Sequence, residues 1–94
     1  MSEPIIESSD NVFADLGFDP AEAAILKMRA DLLNDLRAYI ESSGLTPREV
    51  AKQLGITPPR VVDLMRGRWE KFSLEMLITL EARAGRKVSL DLVA

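Results

Sequence analysis

Residues 45–67 read LTPREVAKQLGITPPRVVDLMRG, and their spacing predicts two short helices set against each other across a tight turn. Thr46-Pro47-Arg48-Glu49 is a helix start: a hydroxyl caps the first turn, a proline stands where no N–H is needed, and a glutamate three residues on returns the capping bond. Gly55 must end that helix near Leu54. Thr57-Pro58 opens the next one, which tolerates both Pro58 and Pro59 because first-turn N–H groups have no intrahelical acceptor. It runs to about Arg66, where Gly67 serves as a left-handed stop. Val50, Leu54, Ile56, Val61 and Leu64 supply the apolar contacts across the corner, and Ala51 sits where the two helices approach most closely.

Outward from this stretch the same grammar recurs. Asp19-Pro20-Ala21-Glu22 starts a helix over about residues 20–43, with Ile25, Met28, Leu32, Leu36 and Tyr39 or Ile40 as one apolar stripe and Gly44 as its stop. That stripe packs either on its own domain or partly on a second subunit. Ser73 caps a helix from Leu74 to Ala84, with Leu74, Leu77, Ile78 and Leu80 inward and Gly85 closing it. Between these elements Phe72 is expected in the core, and Trp69 either packs under its loop or offers its indole N–H to a phosphate. After Gly85 the period changes to two, Val88, Leu90 and Leu92 alternating with Ser89 and Asp91, which predicts a β-strand over about 86–93. Ile5-Ile6 is too short to partner it, so it pairs either with the same strand of a second copy or folds back on the long helix. Residues 1–19 form an acidic segment in which Ser9, Asp10 or Asn11 caps one turn through Val12 to Leu16; a solvated tail and an interaction segment are both open.

Composition narrows the function. Ninety-four residues, 47% hydrophobic and 29% charged, describe a single soluble globular domain. The absence of cysteine and histidine removes disulfides, the usual zinc sites, thiol nucleophiles and imidazole acid–base catalysis, so an enzyme is not expected and no cofactor is called for. Met1 to Asp10 has no basic residue and no apolar run, unlike a signal peptide, and nothing approaches the roughly 18 to 20 apolar residues of a membrane span; the expectation is a cytoplasmic protein without membrane contact. Charge is unevenly placed. Residues 1–46 hold 3 basic and 9 acidic side chains, whereas residues 47–87 hold 9 basic and 5 acidic, so the net charge of -3 conceals a basic middle.

The short helix pair is a helix-turn-helix, and LTPREVAKQLGITPPRVVDLMRG resembles that of the Xre and phage-repressor superfamily. With NVFADLGFDPAEAAILKMRADL before it, RGRWEKFSLEMLITL after it and the closing strand, residues 8 to 93 resemble HigA-type antitoxins, the DNA-binding partners of RelE-like messenger-RNA-cleaving toxins. The resemblance implies a mainly α, phage-repressor-like fold of four to five helices with a C-terminal β-strand, residues 1–19 preceding a DNA-binding domain over 20–94. The chain departs from the superfamily at Pro47 and Pro58, where glutamines that touch DNA are frequent.

By the resemblance, base edges fall to Thr57, Pro58, Pro59 and Asp63 at the start of the second helix, whose unpaired N–H groups and dipole favour nearby phosphates. Arg60 beside them is suited to a bidentate pair with guanine or to a phosphate contact, and Asp63 either accepts from cytosine or orients Arg60 or Arg66. Arg48, Lys52, Arg66, Arg68 and Lys71 flank this helix as phosphate contacts that position without reading sequence. Val88, Leu90 and Leu92 are the expected homodimer contacts, matching a double-stranded operator of paired half-sites. Val12, Phe13, Leu16 and Phe18 in the acidic segment suit a basic RelE-like toxin. The implied function is a repressor and antitoxin; a stand-alone Xre-type repressor and a helical protein-binding adaptor without DNA affinity are the alternatives.

Overall fold

The computed structural model describes residues 11–93, so the acid-rich start and the Ile5-Ile6 pair lie outside the described residues. Helices α1 (Val12–Asp15), α2 (Pro20–Ser43), α3 (Pro47–Leu54), α4 (Pro58–Met65) and α5 (Leu74–Arg83) follow in order, with a 3-10 turn at Trp69–Lys71. Each boundary has a local cause. Asn11 accepts from the N–H groups of Phe13 and Ala14, Asp19 from those of Ala21 and Glu22, and Ser73 from that of Met76. The α3 capping box is complete: Glu49 N donates to Thr46 Oγ1 at 3.2 Å and Thr46 N to Glu49 Oε1 at 2.9 Å. The backbone bond from Thr46 holds the Glu49 carboxyl below its ordinary value.

The core gathers Leu33, Leu36 and Ile40 of α2, Val50, Ala51 and Leu54 of α3, Val61 and Leu64 of α4, Phe72, and Leu77 and Leu80 of α5. On α2 the buried face meets the expected stripe at Leu36 and Ile40 and departs from it elsewhere. Ala23, Leu26, Leu33, Leu36 and Ile40 are buried, while Ile25 and Met28 are exposed and Leu32 and Tyr39 lie partly buried at the edge. The helix carries apolar residues round more than half its circumference, so periodicity alone does not select the side that α3, α4 and α5 cover. On α5, Ile78 likewise turns outward, and Glu81 takes an inward position.

Gly55 forms the corner of the motif with φ +71° and donates its N–H to Ala51 O at 2.9 Å. A side chain there is strained by the backbone and also meets Arg83, whose Nη1 lies 2.9 Å from where a Cβ would stand. That guanidinium donates to Leu54 O at 2.9 Å, closing the C-terminus of α3 from α5. Gly55→Val, and Ala51→Leu at the tight contact, are each expected to cost about 1 to 3 kcal/mol. Thermal unfolding unchanged by both would refute this account of the corner.

The expected C-terminal β-strand is not formed. Residues 86–93 adopt neither helix nor strand, and no strand occurs among the described residues. Val88 is half-buried in a groove of about 520 Å³ with Met28, Leu32, Leu74 and Ile78, whereas Leu90 and Leu92 are 77% and 93% exposed. A strand needs a neighbour for its N–H and C=O groups, and the described chain provides no edge to complete a ladder. Alternation therefore sets Val88 against α2 and α5, with Leu90 at the border of the same groove, without producing a strand.

Candidate nucleic-acid interface

Helix α4 presents two contrasting sides. Val61 and Leu64 are buried against the core, while Thr57, Pro58, Pro59, Val62 and Arg66 are exposed and Arg60 and Asp63 lie at the edges, half-buried. All five flanking cations, Arg48, Lys52, Arg66, Arg68 and Lys71, are exposed. Asp63 stands between two of them, with Oδ1 3.8 Å from Arg68 Nη1 and Oδ2 3.7 Å from Lys71 Nζ. These long, solvent-facing pairs hold the cations only weakly, which leaves both able to turn toward an external anion. Arg60 lies over the Phe72 ring, its Cζ 4.6 Å from the centroid, so packing as well as charge sets its direction.

The start of α4 differs from the expected anion-binding N-terminus. Pro58 and Pro59 have no N–H, and the N–H groups of Arg60 and Val61 both donate to Thr57 O, at 3.0 and 3.2 Å. The helix dipole is present without free donors, so phosphate contact passes to side chains. The same prolines explain why Thr57 makes no side-chain capping bond: the second helical position has no hydrogen to give, and the third donates to the Thr57 carbonyl. Its hydroxyl remains available at the surface.

Three arginines that look like surface charge in the sequence are tied to the fold. Besides Arg83, Arg29 donates from Nε to Phe72 O at 2.9 Å and from Nη2 to Trp69 O at 3.0 Å, and Arg37 lies against Gly67 just beyond α4. Arg29 fixes the loop after α4 from α2, and Arg83 closes the end of α3 from α5. Trp69 is half-buried between the Arg29 guanidinium, 5.2 Å from its ring, and Phe13, whose ring meets it edge-on at 5.6 Å. Sequence reasoning missed Val62, which it passed over beside the core residue Val61. The signal was the helical period, since at about 100° per residue position 62 falls between 58 and 59 and away from Val61 and Leu64.

The remaining candidate residues lie on other surfaces. In α1 and the following turn Val12, Leu16 and Phe18 are exposed, while Phe13 is half-buried on Trp69; Asn11 Nδ2 ties this segment to α2 through Ala23 O at 3.0 Å. Val88, Leu90 and Leu92 lie beyond α5, as described above. Among the described residues no helix is long and apolar enough to cross a membrane.

Two short helices with a glycine corner, a solvent-facing second helix and exposed cations in the same segment define a DNA-binding regulator of the helix-turn-helix class. The chain matches the family described as a helix-turn-helix domain over residues 12–92, and it belongs to that family. The search of curated proteins found no match.

Proposed function

We propose that this protein is a dimeric, sequence-specific transcriptional repressor that also serves as the antitoxin of a type II pair, repressing its own operon and neutralising a RelE-like messenger-RNA-cleaving toxin. The observation that carries the repressor reading is the exposed outward side of α4 together with five exposed cations in the same segment of the chain, residues 48–71. Thr57, Pro58, Pro59, Arg60 and Asp63 face base edges, and Arg48, Lys52, Arg66, Arg68 and Lys71 meet phosphates. Leu90 and Leu92, exposed beyond α5 beside half-buried Val88, give a second copy an apolar surface on which to close. The antitoxin reading rests on the family resemblance and is supported by exposed Val12, Leu16 and Phe18 beside Asp15, Asp19 and Glu22.

Gel-shift titration with duplexes from beside its own gene, over a series of salt concentrations, tests the repressor reading. A dimer engaging all five cations on each protomer should show a logarithmic salt slope near about -9, and Arg66→Ala should reduce it by about 2, one contact on each protomer. Half-sites are expected roughly 34 to 36 Å apart. Absence of binding to any duplex would leave the adaptor reading, which the net charge of -3 and the missing glutamines at Pro47 and Pro58 favour. Co-purification with a small basic protein encoded by the adjacent reading frame tests the antitoxin role, and its failure leaves a stand-alone repressor.

A further inference from the structure

The polar residues of α4 stand at the two edges of its outward side, beside groups of the protein itself. Asp63 stands between Arg68 and Lys71, and Arg60 lies on Phe72. What faces outward between them is largely apolar: the rings of Pro58 and Pro59 and the side chain of Val62, 40% exposed. At about 100° per residue, positions 58, 62, 66 and 59 fall within a sector of about 100°, and Arg66 is the single charged residue among them. Neither proline has an N–H to give, and α4 contains no asparagine or glutamine.

The major-groove edge of DNA carries one apolar group, the 5-methyl of thymine. We propose that the outward side of α4 selects its site through thymine methyl groups, which pack against Pro59 and Val62 between the polar contacts that Arg60 and Asp63 make at its edges. This rests on the DNA-binding reading above. Selection works in both directions. A thymine methyl set against Val62 removes apolar surface from water, whereas a cytosine amino group or a purine acceptor pressed there loses its hydration and finds no partner. Thr57, exposed and with its hydroxyl uncommitted, holds one polar contact at the border of the strip.

The test uses the full chain and a library of duplexes with a randomised core. Bound duplexes are selected, sequenced and resynthesised with each thymine replaced in turn by deoxyuridine, which keeps every hydrogen-bonding group and removes only the methyl. At one or two positions of each half-site the replacement should weaken binding about fourfold, the effect of one buried carbon. Val62→Ala and Pro59→Ala proteins should each lose that penalty at one position and keep the salt slope of the parent. Both sites are exposed, and unfolding curves of the variants verify that they fold. Tight binding to selected duplexes with every uracil neutral overturns the proposal while DNA binding stands, as does a uracil penalty undiminished in both variants. Failure to enrich any sequence removes sequence-specific DNA binding itself, and the proposal with it.

Discussion

Phe72→Ala is expected to destabilise the protein by about 3 to 5 kcal/mol, a large part of the roughly 5 to 15 kcal/mol that holds a domain together. Phe72 is the largest of the fully buried side chains, and its ring lies in one cluster with α2, α3, α4 and α5. Few residues compensate in a chain with five aromatics, because the remaining core is aliphatic and cannot collapse far enough to fill the space of a ring. At about 4 to 8 °C per kcal/mol for a domain of this size, the unfolding midpoint should fall by roughly 12 to 40 °C. The effect reaches the DNA-facing side as well, since Arg60 loses the ring on which it rests. Phe72→Leu preserves most of the volume and should cost about 1.5 kcal/mol or less. Urea and thermal unfolding of the two variants measure the difference. A loss below about 1 kcal/mol for Phe72→Ala would show that the ring does not hold the helices together.

The second large effect is a dependence of stability on pH that originates in one carboxyl group. Glu81 is 2% exposed, and its Oε1 has no hydrogen-bond partner among the described residues. Burial first, then a hydrogen bond with Asp35 and the charge of Asp35, push its pKa up to about 8, opposed by Arg86. Arg86 cannot serve both acids equally. Its Nη2 donates to Asp35 Oδ1 at 2.8 Å, while its Nε stands 3.7 Å from Glu81 Oε1, too far for a hydrogen bond. A carboxyl whose pKa is raised on folding keeps its proton in the native state after the unfolded chain has lost it. Stability is therefore highest below about pH 4.5 as far as this group is concerned, and falls as pH rises from there to about 8.

Glu49 acts with the opposite sign, its lowered pKa adding stability that is lost as pH falls through the folded value, so measurements above pH 5 separate the two. Glu81→Gln should remove the decline, leaving unfolding nearly flat between pH 5 and 8.5 and the variant more stable than the parent at pH 8 by on the order of a few kcal/mol. A parent protein whose midpoint is already flat across that range would contradict the assignment.

The helix-turn-helix was legible because its determinants are local. Thr46 and Glu49 close their own bonds within four residues, and Gly55 turns the chain where a larger residue cannot. Val50 and Leu54, and Val61 and Leu64, stand four and three residues apart, one face of each short helix, and are buried together. The start of α4 was legible as a helix boundary for the same reason, but the loss of its free donors was not: Pro58 and Pro59 bring none, and Arg60 and Val61 give theirs to Thr57 O.

What the sequence by itself determined is therefore where each helix begins and ends and how α3 meets α4, since caps, prolines and glycines act through bonds a few residues long. Only the tertiary structure decided which side of α2 is covered, that Glu81 lies inside, that Arg29 and Arg83 tie helices to distant carbonyls, and that Val88 to Val93 forms no strand. These outcomes depend on groups far apart in the chain. A helix apolar round much of its circumference has several burial solutions, and an alternating segment becomes a strand only when another edge completes its hydrogen bonds, so their physical cause lies in what each element meets.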